Sequence, residues 1–388
     1  MAVTIKDLLE LEIMRDFKVV AGAGGLSKTV TGTEILDFEF IEEGEAYRAH
    51  SFYGNSIALS SLLFAKDNPE LILGAVKKLI QQDVRALAYK PVFFKELPRE
   101  ALDFAEKMDF PILKFGRDEF FEDIIFSIKK LQEKDDILLQ AESLFKKMID
   151  GRLTEEETAA ARERLAPAFR SKITAVCIKV KNMTVRQITE SLRKKDSGRK
   201  AADRFFAGKL ENSFMILLPQ EENDPAGFKV QLEDALLSCG LSGKEMTMGI
   251  SGVRDCAVQM DRAVREAFWT EKVAEIEKTD VKRYKDLGIY KLIVSNIHTG
   301  GVTEYMEEYL APLFEAEDKD EELLRTAVEY ILANGDTIKT AERLFCHKNT
   351  IRYRIGKLQE KLDPGTGEKE FYQNLAAAVK IYLLVYEK

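Results

Sequence analysis

The sequence predicts a multi-domain chain with an α/β N-terminal domain, a second α/β domain in the middle and an all-α C-terminal domain containing a helix-turn-helix. Three observations carry this expectation. The 388 residues exceed what one small core organises. Strand-like and helix-like runs alternate over residues 1–116 and again over 166–295, the pattern of α/β layers. Beyond residue 296 only helical periodicity remains. The resulting division is 1–116, a helical connector at 117–165, then 166–295 and 296–388.

Composition narrows the classes. Hydrophobic residues make up 45% and charged residues 32%, as in ordinary folded proteins. No apolar run approaches the ~20 residues of a membrane span. The N-terminal MAVTIKDLLELEIM lacks the apolar core of a secretion signal, so a cytoplasmic, non-membrane protein is expected. Four cysteines without a CxxC pair and three histidines predict neither a metal site nor a cofactor. A net charge of -8 argues against indiscriminate coating of nucleic acid, so any contact with DNA is local and selective.

In the first domain TEILDFEF, NSIALSS, VRALAYK and FPILKFG read as strands. PELILGAVKKLIQQD and PREALDFAEKM read as the helices between them. Gly22, Gly24 and Gly25 suggest a phosphate loop, but no G-K-[ST] follows and Ser27 stands where a third glycine belongs. A tight turn before a strand at Thr29 to Thr33 is the better reading.

Phe121 to Ile149 reads as one long helix. Ile124, Leu131, Leu138 and Phe145 repeat every seventh residue, with Phe121, Ile128 and Ile149 at partner positions. Asp135 and Glu142 interrupt those positions, so a dimerising coil and local packing both remain open. In the middle domain TAVCIKV, FMILLPQ and EMTMGIS are expected strands. VRQITESLRKK, FKVQLEDALLSC and CAVQMDRAVREAFWTEKVAEI are expected helices. Phe268, Trp269 and Tyr290 read as core rather than as a ligand-stacking set.

The C-terminal domain carries the strongest pattern. Glu315 to Glu322 is an acidic linker or helix start, followed by a helix from Leu323 to Ala333. Asn334-Gly335 ends it, and Asp336-Thr337 offers an N-cap oxygen to a short helix with Ile338, Ala341 and Leu344 on one face. Cys346-His347-Lys348 forms the turn. Asn349 is placed to cap a third helix whose apolar face is Ile351, Ile355, Leu358 and Leu362. Cys346 reads as a small hydrophobe rather than a redox switch. Phe371 to Tyr386 closes the domain, with Phe371, Leu375, Val379 and Tyr382 along one side. Steps of ~100° per residue set Asn349, Tyr353 and Lys357 opposite the apolar stripe, Thr350 beside them, and Arg352 and Arg354 on the flanks. Polar groups at the outer face suit base edges; Lys348 and the flanking cations suit phosphates. The expected DNA-binding residues are therefore Lys348, Asn349, Thr350, Arg352, Tyr353, Arg354 and Lys357.

The run TAERLFCHKNTIRYRIGKL resembles the C-terminal helix-turn-helix of the PucR (purine catabolism regulator) family of bacterial transcription factors. His347, Asn349, Thr350, Tyr353 and Arg354 carry its H-x-N-T-x-x-Y-R run, with Ile351 in place of the usual leucine. Residues from TIKDLLEL through AGAGGLSKTVTGTEILD to FPILKFG resemble the family's N-terminal domain. They depart from it at Tyr53 to Leu59, where a Gly-Glu-Leu is usual. MGISGVRD, AVREAFWTEKVAE and VKRYKDLGIYKLIV resemble the degenerate GGDEF-like domain of such regulators. At Leu210-Glu211-Asn212-Ser213-Phe214 the glycines and acids of a cyclase are gone, leaving only the Phe. Two-metal phosphoryl transfer cannot be assembled there, and no catalytic residue is assigned.

The resemblance implies a non-enzymatic regulator that binds a double-stranded DNA operator as a homodimer and answers to a small-molecule effector. No effector-binding residue is assigned. The alternatives are a nucleotide-signalling enzyme or cyclic-dinucleotide-binding protein using the middle domain, and a protein-protein scaffold.

Overall fold

The computed structural model describes residues 3–37, 52–116, 118–151, 153–169, 171–194, 204–220, 224–314 and 320–386. The expected run Asp37 to Phe40 and the acidic run from Glu315 therefore lie largely outside the described residues. The chain divides into two compact units, Met1–Gln140 and Ala141–Lys388. Each is described by itself below.

In the first unit a one-turn helix α1 (Ile5–Leu8) is closed by a capping box between Thr4 and Asp7. Strand β1 (Lys18–Ala21), absent from the sequence expectation, is followed by β2 (Gly32–Ile35), β3 (Ser56–Ser60), α2 (Leu71–Gln81), β4 (Ala86–Tyr89), α3 (Arg99–Lys107) and β5 (Ile112–Lys114). These strands form a sheet of order β1-β5-β4-β3-β2. The pairs β2–β3, β3–β4 and β4–β5 are parallel, and β1 lies antiparallel to β5.

Alternation along the strands feeds two cores. Ala58, Leu87 and Tyr89 face one cluster with Ile72, Val76 and Leu79. Ile57, Leu59, Ala86 and Ala88 face the other, with Ile5, Leu8 and Phe115. Burial on both faces is why β3 and β4 read as unbroken apolar runs. The glycine run serves packing: a Cβ on Gly22 would lie 2.0 Å from the Phe110 carbonyl oxygen, and one on Gly25 2.0 Å from that of Asp109. Only bare backbone lets that turn lie against residues 109–111.

Helix α4 (Phe121–Ile149) carries residues of both units. Ile124, Ile128 and Leu131 are buried in the first. Ala141, Phe145 and Met148 are buried in the second. Local packing thus accounts for these apolar positions.

The second unit continues with α5 (Glu155–Leu165), β6 (Lys172–Val180), α6 (Val185–Lys194), the hairpin β7 (Phe206–Leu210) and β8 (Ser213–Gln220), α7 (Pro225–Ser238), β9 (Met246–Ile250), β10 (Arg254–Asp255), α8 (Met260–Ile276) and β11 (Val281–Arg283). The sheet order is β11-β9-β6-β8-β7, with β10 paired to β6. Helix α8 rides directly on β9, where a Cβ on Gly249 would meet the Glu271 amide nitrogen at 2.1 Å. Trp269 and Tyr290 are buried in the core, and Phe268 packs edge-on to Trp269 with centroids 5.1 Å apart, as core aromatics do.

The helices α9 (Tyr290–Asn296), α10 (Gly301–Phe314), α11 (Asp320–Leu332), α12 (Thr337–Arg343), α13 (Lys348–Leu362) and α14 (Glu368–Tyr386) complete the unit. Their core is continuous with that of the sheet: Val264 and Val273 belong to the same cluster as Ile331, Leu358 and Leu375. No helix among the described residues is long and apolar enough to cross a membrane.

Candidate nucleic-acid interface

The three helices α11, α12 and α13 build the site. Helix α11 ends where Asn334 and Gly335 take left-handed backbone angles, φ 54° and 80°. The Gly335 amide donates to the Tyr330 carbonyl at 2.9 Å. A Cβ on Gly335 would sit 2.9 Å from the Tyr372 ring, so glycine is required for space as well as for φ. Asp336 then caps α12: its Oδ1 accepts from the Ile338 and Lys339 amides at 2.9 and 3.1 Å. The Lys339 and Ile338 amides hold that carboxyl below its usual range.

The inward face of α12 departs from expectation. Ile338 is 58% exposed, whereas Thr340 and Ala341 are buried. Thr340 can be buried because its hydroxyl donates to the Asp336 carbonyl at 2.7 Å and so leaves no orphan polar group. Ala341, placed on that face from the sequence, is buried, and Leu344 is half-buried.

The turn is closed by the Cys346 amide, which donates to the Ala341 carbonyl at 3.0 Å. This requires a left-handed residue, and the residue is Phe345, with φ 51° and 95% exposure. Helix α13 is capped by His347, not by Asn349. The His347 Nδ1 accepts from the Asn349 amide at 3.2 Å, which sets Asn349 inside the first turn.

Helix α13 buries Ile351 and Leu358; Ile355 and Leu362 are half-buried. On the opposite side Tyr353 is 66% exposed, and Lys348, Asn349, Arg352 and Lys357 are exposed. Thr350 is half-buried beside them. Lys348, Asn349 and Arg352 have no side-chain hydrogen-bond or ion-pair partner among the described residues, so their polar groups are available to a ligand. Lys357 lies 5.9 Å from the Tyr353 ring centroid and 3.4 Å from Glu360.

Arg354 differs from these. Its guanidinium is mostly covered, paired with Glu322 and 3.4 Å from the Thr326 hydroxyl, and so ties α13 back to α11. Arg343 likewise pairs with Glu329 of α11 at 3.2 Å. Sequence reasoning missed these tethers because each partner lies on a different helix, outside the reach of local spacing. Lys339, Lys348, Arg352 and Lys357 leave this surface cationic within an acidic chain.

An exposed polar face on a helix held by two buried side chains, preceded by a short capped helix, suits insertion into a major groove. No cluster of side chains able to hold a metal occurs among the described residues.

Comparison with known proteins bears on both ends of the chain. Residues 7–131 match the purine catabolism regulatory protein-like family, and residues 323–381 match the PucR C-terminal helix-turn-helix domain. The proline-responsive transcriptional activator PutR of Bacillus subtilis is 27% identical over 281 residues, 69% of this chain and 65% of PutR. The chain thus spans under two thirds of that relative's length. The purine catabolism regulatory protein of the same organism is 29% identical over 82 residues, 21% of this chain and 15% of that protein. A regulator of polyketide synthase expression from Bifidobacterium adolescentis, a solved structure, is similar over 62% of this chain and 91% of that one. Its identity is 15% and its TM-score 0.27, too low to bear on the fold. The chain thus carries a PucR-family N-terminal domain and a PucR C-terminal helix-turn-helix domain.

Proposed function

We propose that the protein is a sequence-specific, DNA-binding transcriptional regulator. The observation that carries this reading is the outer face of α13, where Lys348, Asn349, Arg352 and Tyr353 stand exposed opposite the buried Ile351 and Leu358. Asn349 and Tyr353 read base edges, with Thr350 beside them. Lys348, Arg352 and Lys357 meet phosphates. Arg354, assigned to DNA contact from sequence alone, serves here to hold the reading helix at its angle to α11.

In this reading the protein acts in the cytoplasm as a homodimer, since two half-sites a helical turn apart multiply discrimination. A small-molecule effector acts through the upstream domains; the similar PutR is a proline-responsive transcriptional activator. We read residues 1–116 as the effector domain, 117–165 as connecting helices, 166–295 as a degenerate GGDEF-like scaffold and 296–388 as the DNA-reading domain. The hairpin β7–β8 supports the scaffold reading: its tip is Glu211-Asn212, without the glycines that close approach of a nucleotide requires.

The test is fluorescence anisotropy with DNA from upstream of the protein's own gene, over a range of salt. Asn349→Ala and Tyr353→Ala should narrow the gap between cognate and scrambled duplex by roughly 1–3 kcal/mol each. Arg352→Ala should weaken both duplexes alike and lower the salt slope by about one. Unchanged affinity in all three variants would remove the assignment of this helix.

A further inference from the structure

We infer that the N-terminal unit binds a small organic anion in a cleft at the carboxyl ends of β4 and β5; this rests on the effector-controlled reading above and gives it a place. The cleft has a volume of about 620 Å³, within the range of small-molecule sites. It opens where Tyr89 ends β4 and Lys114 ends β5, the edge of an open parallel sheet at which α/β folds take ligands.

Three polar side chains form a row across three strands there. Lys18 of β1 pairs in register with Lys114 of β5, and Lys114 pairs in register with Tyr89 of β4. All three line the cleft. Two lysines set directly opposite one another repel, and nothing in the sheet requires them. The Lys114 ammonium reaches the Lys95 carbonyl at 2.5 Å, which relieves hydrogen bonding but not charge. Lys18 has no ion-pair partner among the described residues.

Of the acids lining the cleft, Glu96, Asp103 and Glu106, none forms an ion pair with Lys18 or Lys114 among the described residues. Glu106 accepts the Gly22 amide at 2.6 Å, and Asp103 lies 3.9 Å from Arg99 at the exposed rim. Tyr89 is almost wholly buried, and its hydroxyl has no partner among the described residues. Burial, with Glu96 nearby, pushes the Tyr89 hydroxyl up to about 12, so it stays a neutral donor. An oxyanion placed over the row receives two ammonium groups and a phenol. Val20, Leu97 and Leu102 supply an apolar wall for the rest of the molecule. The ligand class is therefore a compact anion with a short apolar body, its charged group a carboxylate or a phosphate ester.

Isothermal titration of the full chain with butyrate, succinate, glycerol 3-phosphate and inorganic phosphate tests this. We expect saturable binding of a carboxylate or of the phosphate ester, tighter than that of inorganic phosphate. The arm that binds identifies the charged group. Lys18→Gln and Lys114→Gln should each weaken that binding roughly tenfold, in line with the loss of a charge-assisted hydrogen bond. With one like charge gone, their unfolding midpoints without ligand should equal or exceed that of the parent, which separates lost binding from lost folding. Absence of saturable heat from all four compounds, or equal affinity in parent and both variants, would overturn the inference. DNA affinity is measured on the same samples: DNA binding without anion binding overturns the cleft alone. Saturable anion binding without DNA binding supports the cleft and counts against the regulator reading.

Discussion

Two helices of the second unit, α8 and α13, are similar in length and opposite in use. Helix α8 runs 17 residues and buries ten side chains, among them Glu266, Trp269 and Glu271. Helix α13 runs 15 residues and buries two, Ile351 and Leu358. The difference teaches how little a helix needs in order to be held. Two buried apolar side chains, the half-buried Ile355 and Leu362, a His347 cap and the tether of Arg354 to Glu322 fix α13 while leaving most of its outer surface free. A helix that must seal a sheet gives up nearly all its surface instead.

The two buried glutamates of α8 sharpen the contrast. Glu266 is fully answered: Arg254 and Arg262 reach its carboxylate, and the Gly252 amide donates to it at 3.0 Å. Glu271 lies one turn further on with neither oxygen hydrogen-bonded among the described residues, and Lys272 stands 3.8 Å away. Burial pushes the Glu271 carboxyl up to about 7 against the pull of Lys272 and Lys179, with Glu275 and Glu211 adding to the rise.

The comparison can be broken at several points, here from the largest expected effect to the smallest. Leu358→Ala removes one of the two fully buried side chains of α13 and should cost about 2–5 kcal/mol, measured by urea unfolding. If the cost is near zero, α13 is held by its cap, its tether and its half-buried side chains rather than by Leu358. Glu271→Gln should act in the stabilising direction. The folded protein holds a proton on Glu271 between its ordinary 4.5 and about 7, where the unfolded chain does not. Stability therefore falls as pH rises through that window. The variant should gain on the order of 2 kcal/mol at about pH 8 and almost nothing at about pH 4.5. Equal gains at both pH values would place the origin in packing rather than charge.

Phe345→Gly relieves a left-handed backbone at a side chain that packs on nothing, and should raise stability by about 1 kcal/mol. A loss of stability would mean that the phenyl ring makes contacts its exposure does not suggest. Asn349→Ala should change stability by no more than about 0.5 kcal/mol, while reducing DNA discrimination as given above. A larger thermal effect would move Asn349 from the reading face to the structural one.

Much of this was legible residue by residue. Strands β3, β4 and β5, helices α2 and α3, and the full span Phe121 to Ile149 follow from period and turn residues alone. The outward set of α13 follows from its phase against Ile351 and Leu358. Ile338 did not, because α12 is too short for a period to outweigh Thr340, whose hydroxyl finds a carbonyl one turn back. Strand β1 was invisible as well: KVVA is only four residues long and becomes a strand by pairing with β5.

The order of amino acids by itself determined the approximate spans of most helices, the apolar face of α13, and that the glycines of residues 22–25 make a turn. These depend on forces acting within a few residues: backbone sterics, capping and the 3.6- and 2-residue periods. Only the tertiary structure decided that Lys18 faces Lys114, that Arg354 turns back to Glu322, and that Glu271 loses its water while Glu266 keeps two arginines. Each of those outcomes depends on which distant side chain arrives at hydrogen-bond range, and no local pattern encodes that distance.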